Sequence, residues 1–255
     1  MDSGLLENER IDDLQYKGLR LIQKRDGFCF GVDAVLLSDF AQVAKKDVVL
    51  DMGTGTGVVA LLLAAKKEPR RVVGLEILPE MADMAARSVK MNGMGGRVEI
   101  VNGDLKEAVS LFGASSFDAV VTNPPYMGKG NGLLNAADAK TAARHEILCS
   151  LEDVISAAAK LLKPGGRFSM VHRPQRLADI IYLMRVYALE PKLLRFVHPS
   201  PGKRPNLLLI SGSRNGNPEL RVREPLYIYD ENGQYTGEID EIYNKPHKQA
   251  DIIHT

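Results

Sequence analysis

Short apolar, β-branched runs alternate along this chain with longer helix-like stretches. Strand patterns fall near 47–52, 71–76, 97–102 and 117–122, and helix patterns near 57–67, 80–92 and 104–111. A fourth crossover helix, about 148–162, is closed by Lys163-Pro164-Gly165-Gly166, a helix stop followed by a turn. Arg167–His172 reads as a fifth strand. A helix near 174–186 follows, and then a strand pair near 190–198 and 205–213. Residues 1–46 form a preface that ends in the helix-like run Ala34–Ala41. Alternating strands and helices call for a parallel sheet covered by helices.

The ends of the first four strands carry the candidate chemistry. Val48-Val49-Leu50 runs into Asp51, after which Gly53, Gly55 and Gly57 alternate before the helix-like Val58–Ala65. Glycines permit a tight strand-to-helix turn and let a ligand approach the backbone. Gly55-x-Gly57-x-x-Ala60 also satisfies the dinucleotide fingerprint, so the glycines alone do not choose a ligand. The second strand ends at Glu76, placed to take both hydroxyls of a ribose. The third runs into Asn102-Gly103-Asp104, and the fourth into Asn123-Pro124-Pro125-Tyr126. Ligands of open α/β sheets bind outside the carboxyl ends of the strands, so Asp51, Glu76, Asp104 and Asn123 are expected around one crevice.

The Asn-Pro-Pro-Tyr segment narrows the chemistry. Consecutive prolines have no N–H and hold φ near about −65°, and the residue before a proline is pushed into an extended conformation. The loop therefore offers acceptors and few donors: the Asn123 side-chain oxygen and the Pro124 carbonyl. Such a pair suits a planar –NH2 group with two N–H bonds to give, and Tyr126 supplies an aromatic face beside it. A Pro-Pro pair by itself marks a surface turn more often than a site. The upstream strand ends favour the site.

Together, Asp51-x-Gly53-x-Gly55-x-Gly57, Glu76, Asp104 and Asn123-Pro124-Pro125-Tyr126 resemble the successive motifs of the amino-methylating class I S-adenosylmethionine-dependent methyltransferases. The resemblance implies a Rossmann-like α/β fold. Its mostly parallel seven-stranded sheet would carry an antiparallel hairpin at one edge and helices on both faces. It implies that the glycine turn runs beneath the methionine part of S-adenosyl-L-methionine. Glu76 would bind the ribose, and Asp104 with the Leu105 backbone would meet the adenine. Asn123, Pro124 and Tyr126 are the implied catalytic residues, S-adenosyl-L-homocysteine the product, and no metal is required. A nicotinamide dehydrogenase has no need of Asn-Pro-Pro-Tyr after its fourth strand.

Flanking segments narrow the resemblance. Phe28–Leu37, Ala143-Arg144-His145-Glu146, Pro201–Asn206 and Pro225–Thr236 are similar to those of the bacterial tRNA1(Val) adenine-37 N6-methyltransferase group. The likeness spans nearly the whole chain and implies tRNA as partner. Pro125, Arg144, His145, Lys203 and Arg204 are candidate substrate contacts. Asp33 has two readings, at the methionine end of the cofactor or as N-cap of the following helix. The same core motifs serve glutamine N5-methylation of release factors. They serve base methylation in rRNA or DNA as well. A longer helical N-terminal domain is expected for the release-factor enzymes, and residues 1–46 leave little room for one. A non-catalytic nucleotide-binding module is the reading from another class.

Charge adds one consideration. The net charge is +1, yet residues 160–223 hold thirteen Lys/Arg against three Asp/Glu. Residues 224–255 hold two against seven. A basic stretch on a balanced protein suggests a polyanion-binding face, unless its charges are spread over several solvated faces. With 255 residues, 45% of them hydrophobic, the chain can bury a substantial core. The expected organisation is an N-terminal extension (1–46), a methyltransferase domain (47–215) and a C-terminal extension (216–255) in one structural unit. Tyr227, Ile228 and Tyr229 are expected to dock that last segment. Cys29 and Cys149 suggest neither a disulfide scaffold nor a metal site. With no signal peptide or membrane-spanning run, a cytoplasmic enzyme without an obligate protein partner is expected.

Overall fold

The computed structural model describes residues 5–26, 30–124 and 149–244. Its centre is a sheet of seven main strands: β3 (Val48–Met52), β4 (Arg71–Glu76), β5 (Val98–Asn102), β6 (Phe117–Thr122), β7 (Leu162–His172), β8 (Leu189–His198) and β9 (Leu207–Arg214). They lie in the order β5-β4-β3-β6-β7-β9-β8. All run parallel except β9, which is antiparallel to both β7 and β8.

Side-chain alternation sorts the core into two layers. Val49, Ala119, Val121, Val171, Leu207 and Leu209 face one layer, with α1 (Val32–Phe40) and α2 (Val58–Lys66). Leu50, Met52, Val120, Phe168, Met170, Leu208 and Ile210 face the other. That second layer is closed by α4 (Ala108–Phe112), α5 (Leu151–Leu161) and α6 (Leu177–Val186). Such period-2 sorting is what a sheet covered on both faces requires. Helix α2 is buried from Val58 to Ala64 and so is apolar all round. Helix α3 (Pro79–Met91) buries only Ala82, Met84, Ala85, Ser88 and Val89.

Several sequence expectations are refined. Helix α5 stops at Leu161, and residues 163–166 form an excursion in β7, since Phe117 faces Leu162 while Ala119 faces Arg167. The helix expected over 104–111 divides into a 3-10 turn at Leu105–Glu107 and α4. The preface holds an antiparallel hairpin, β1 (Glu9–Asp13) and β2 (Arg20–Lys24), ahead of α1. No apolar run announces that hairpin. It is held by burial of Leu14, Leu19, Leu21 and Ile22 and by polar bonds to α3. There Ser88 Oγ accepts from the Ile22 amide at 2.9 Å.

The expected seven strands become nine. The strand pair β8–β9 is not the sheet's final edge, because β10 (Arg221–Val222) and β11 (Leu226–Tyr227) both add to β8 in parallel. An open edge presents unpaired backbone groups, and the C-terminal segment satisfies some of them. Leu226, Ile228 and, from α7 (Gly237–Ile242) and its end, Ile239, Ile242 and Tyr243 join the core layer of α1 and α2. Lys66 ties these parts together: its Nζ donates to the Ile242 carbonyl at 2.7 Å and lies 5.0 Å from the centre of the Tyr16 ring. Burial pushes the Lys66 ammonium down to about 8.

Arg87 on α3 clamps the preface by donating to both oxygens of Glu9, at 2.7 and 2.6 Å. The bonds from Arg87 hold the Glu9 carboxyl below the usual carboxylate range. Its stabilisation is therefore present at neutral pH and lost as pH falls through that depressed value. Removing one partner strands a buried charge. Arg87→Met is expected to lower stability by about 3 kcal/mol. Urea unfolding should show that loss at pH 7, much of it recovered in the Glu9→Gln, Arg87→Met double variant.

Candidate active site

The parallel registers bring the strand ends to one level. Met52 of β3 faces Leu75 of β4 and Thr122 of β6, while Glu76 of β4 faces Asn102 of β5. The residues following these ends therefore share one rim of the sheet. From β5 to β6 they are Asp104, Glu76, the glycine turn and Asn123.

The turn after β3 is built on Asp51. This carboxylate is 1% exposed and lies on the sheet face covered by α2, where the Thr54 hydroxyl donates to it at 2.5 Å. Burial pushes the Asp51 carboxyl up to about 7, against the lowering effect of Thr54 and of the Ala60 amide near the start of α2. Neighbouring Glu76 adds to the rise. Gly74, opposite Asp51 in register, makes room: a Cβ there would stand 2.9 Å from the Thr54 side chain and 2.8 Å from Ile100. Thr54 and Gly74 were missed by sequence reasoning. The only signal for Thr54 is its place between two motif glycines.

The three glycines have different tasks. Gly53 has φ +74° and nothing within 4 Å of where a Cβ would be, so the backbone here is open to a ligand. Gly57 has φ +93°, and its added Cβ would come within 3.2 Å of Ala85, so it permits close packing of α2 against α3. Gly55 donates its amide to Glu76 Oε2 at 2.9 Å.

Glu76 is 2% exposed, and its other oxygen accepts from the Leu78 amide at 2.9 Å. Each carboxylate oxygen retains further acceptor capacity beyond these bonds. Asn102 fastens the neighbouring strand end by donating to the carbonyls of Glu76 and Ile77. Asp104 caps the 3-10 turn, accepting from the Lys106 amide at 2.9 Å, and Leu105 is partly buried behind it.

Beyond β6, Asn123 is half-buried and Pro124 buried, and Thr122 is anchored by its hydroxyl to the Met52 carbonyl at 2.8 Å. Pro125, Tyr126, Arg144 and His145 lie outside the described residues. Asp33 is not the N-cap. Gly31 occupies that position in extended conformation, and Asp33 sits within the first turn of α1, its carboxylate accepting from the Ala34 amide. Its charge contributes to the upward shift of the Tyr243 phenol, which burial chiefly causes. Lys203 and Arg204 are exposed in the loop between β8 and β9.

The basic stretch does not form one face. Lys163 and Arg167, at the amino end of β7, pair with Asp118 and Asp47 far from the rim. Arg173, Arg176, Lys203 and Arg204 follow the carboxyl ends of β7 and β8. Among the described residues no group of three His, Cys, Asp or Glu is placed to hold a metal, and no helix is long and apolar enough to cross a membrane.

A sheet of this order, with a glycine turn after its central strand, is that of a class I methyltransferase, and the family model described as methyltransferase small domain matches residues 30–186. Among solved structures, a predicted O-methyltransferase from Agrobacterium tumefaciens superposes with TM-score 0.68 at 25% identity, over 83% of this chain and 95% of that one. TYW2 of M. jannaschii, solved in complex with AdoMet, shares the fold with TM-score 0.56 at 14% identity, over 82% of this chain and 88% of its own. Two curated relatives carry the description tRNA1(Val) (adenine(37)-N6)-methyltransferase. The Porphyromonas gingivalis protein is 34% identical over 78% of this chain and 79% of its own length. The Bacteroides thetaiotaomicron protein is 32% identical over 89% and 94%. The chain is a methyltransferase and belongs to the family of these relatives.

Asp51 offers a direct test of the turn. An acid whose folded value is raised loses stability as pH climbs from its unfolded value, near 4, through about 7, and the contribution is flat above that. Relative to Asp51→Asn, which cannot ionise, wild type should lose on the order of 2–4 kcal/mol between pH 4 and pH 8. Urea denaturation of both proteins across that range checks the slope. Parallel curves would show that Asp51 is ionised throughout.

Proposed function

We propose that this enzyme transfers a methyl group from S-adenosylmethionine to N6 of adenine 37 in tRNA1(Val). The observation that carries the reading is the juxtaposition of an acceptor-rich loop, Asn123-Pro124, with the open glycine turn one strand away on the same rim. The description of the curated relatives supports the choice of nucleotide and RNA.

The residues present fit the cofactor. Open backbone at Gly53 leaves space for the methionine part, with Asp33 of α1 as a further candidate contact. Glu76 has acceptor capacity for ribose hydroxyls, and Asp104 with Leu105 stands one strand further along for the adenine. Asp51 acts through the turn: it holds Thr54, and thereby the glycines, in place. When bound, S-adenosylmethionine supplies a methyl group already activated by its cationic sulfur.

The protein's task is then to position and polarise the amine. An adenine N6 is a poor nucleophile because its lone pair is delocalised into the ring. The Asn123 side-chain oxygen and the Pro124 carbonyl would accept its two N–H bonds, which favours a localised lone pair and stabilises positive charge developing on nitrogen. Holding that nitrogen in line supplies much of the remainder, since good orientation is worth about 7–11 kcal/mol. Tyr126 would stack on the extruded base. The proton leaves to water after transfer.

The test is incubation with methyl-labelled S-adenosylmethionine and unmodified tRNA, followed by nucleoside analysis. Labelled N6-methyladenosine is expected, and Asn123→Ala should lower its rate of formation about 10²-fold or more, the usual cost of removing one group that stabilises transition-state charge. Label appearing instead in a release factor, rRNA or DNA would overturn the tRNA assignment while keeping the amine chemistry.

A further inference from the structure

The C-terminal segment carries an aromatic column whose place on the rim gives it a use. Tyr229 stacks on Tyr235 at 5.3 Å with 13° between the rings, and Tyr235 stacks on Tyr243 at 5.9 Å and 14°. Tyr243 is 7% exposed, whereas Tyr229, at the outer end, is 40% exposed. The expectation that Tyr227, Ile228 and Tyr229 all dock the segment holds for Ile228, which is buried, but Tyr229 remains open. Docking does not account for that ring.

The column is held stiffly. Tyr229 and Tyr235 face each other across an antiparallel bridge. The turn between them is fastened by Asp230, which accepts from the amides of Asn232 and Gln234, both at 2.9 Å. Arg195 of β8 grips Glu238 of α7 with two bonds, at 2.5 and 2.8 Å.

Topology places this column at the carboxyl rim. Because β11 runs parallel to β8, its end leads Tyr229 to the same side of the sheet as Asn123. Along the registers from Thr122 through Met170 and Ile210 to Leu194, β8 continues four residues beyond the level at which β6 ends. Four strand spacings, about 19 Å, separate β6 from β11 across the sheet. Tyr229 therefore stands on a raised outer edge of the crevice.

A basic loop starts beside it. The Tyr229 amide donates to Pro199 at 2.8 Å, at the start of the loop that carries Lys203 and Arg204. That loop is ordered by the His198 ring, whose Nδ1 is 2.7 Å from the Lys203 carbonyl, and by Arg173, which donates to the Asn206 carbonyl at 3.0 Å. Lys203 and Arg204 are exposed and make no ion pair among the described residues. An exposed tyrosine at the end of an aromatic stack, tied to the base of a loop that carries two cations outside any ion pair among the described residues, has the chemistry of single-stranded nucleic-acid recognition: stacking on a base and contact with its phosphates.

We propose that Tyr229, backed by Tyr235 and Tyr243, is a stacking platform for a second unpaired base of the RNA substrate, with Lys203 and Arg204 holding the adjoining phosphates. The inference rests on the RNA reading above and adds to it a site separate from the base that reacts. It explains why the C-terminal segment closes the sheet edge at this level.

The experiment measures equilibrium binding of a fluorescently labelled, unmodified tRNA1(Val) transcript and of an oligoriboadenylate to the full chain, as a function of salt. Tyr229→Leu keeps an apolar cover on Tyr235 and protects the fold, which a melting curve verifies; it should weaken transcript binding roughly tenfold, while Tyr229→Trp retains it. The Lys203→Ala, Arg204→Ala double variant should flatten the slope of log affinity against log salt by about 1.4, the value for two single-strand phosphates. Wild type that binds and methylates the transcript, with Tyr229→Leu binding equally well, would overturn the platform alone. Wild type that neither binds nor methylates RNA would overturn the RNA reading and the platform with it. Unchanged RNA binding together with altered self-association of Tyr229→Leu would assign the face to a second copy of the chain and likewise overturn the proposal.

Discussion

Asp51 keeps its carboxylate almost wholly out of solvent between β3 and the start of α2, where Thr54 donates to it and the Ala60 amide faces it. The rest of the candidate site hangs from that arrangement. With the turn fixed, Gly55 can offer its amide to Glu76, and Glu76 in turn fastens Leu78 at the entry to α3. A buried carboxylate is costly unless hydrogen-bonded, and here it opposes ionisation so strongly that its carboxyl rises to about 7. Raised or lowered values of this size gather at functional sites. The positive φ at Gly53, Gly55 and Gly57 shows how much that loop demands of its backbone.

The second organising constraint is parallel register. Four strands ending at one level deliver four polar residues to one rim without any of them being close in sequence. The single reversal, at β9, lets β8 return in the same direction as the others and so carry its own carboxyl end to that rim. The basic loop after β8 and the aromatic column after β11 are there for the same topological reason as Asn123. The rim thus runs from Glu76 at the end of β4 and Asp104 after β5, past the Asn123-Pro124 segment, to the cations and tyrosines at the far edge. An acidic end suits hydroxyls and an exocyclic amine of a nucleoside, and a basic end suits phosphates.

The two extensions differ in how they attach. The N-terminal hairpin is joined to α3 through a buried charged pair, Glu9 with Arg87, and through the Ser88 hydroxyl. The C-terminal segment is joined by strand addition and by apolar burial at Leu226, Ile228, Ile239 and Ile242. Lys66 at the end of α2 meets both, with Tyr16 on one side and the Ile242 carbonyl on the other.

Much of this was legible in the chain itself. The β-branched runs, the alternating glycines and the acids at strand ends determined the parallel α/β architecture and the candidate residues Asp51, Glu76, Asp104 and Asn123, because strand period, glycine turns and the binding rule for open sheets are local or topological in origin. What the tertiary structure decided depended on partners distant in sequence. Along the chain Asp51 is one more acid at a strand end; its burial and the bond it accepts from Thr54 come only from packing that brings α2 and Gly74 around it. Asp33 lies two residues past the Gly31 position that caps α1, a matter of where the backbone enters the helix. The hairpin at β1–β2 was silent because its few leucines and Ile22 are scattered among charged residues, and their burial depends on packing against distant helices and on polar bonds to α3. The basic stretch of 160–223 was one feature in sequence and is two in space: the strands carry Lys163 and Arg167 to one end of the sheet and Lys203 and Arg204 to the other, because successive loops of a crossed sheet alternate between its ends.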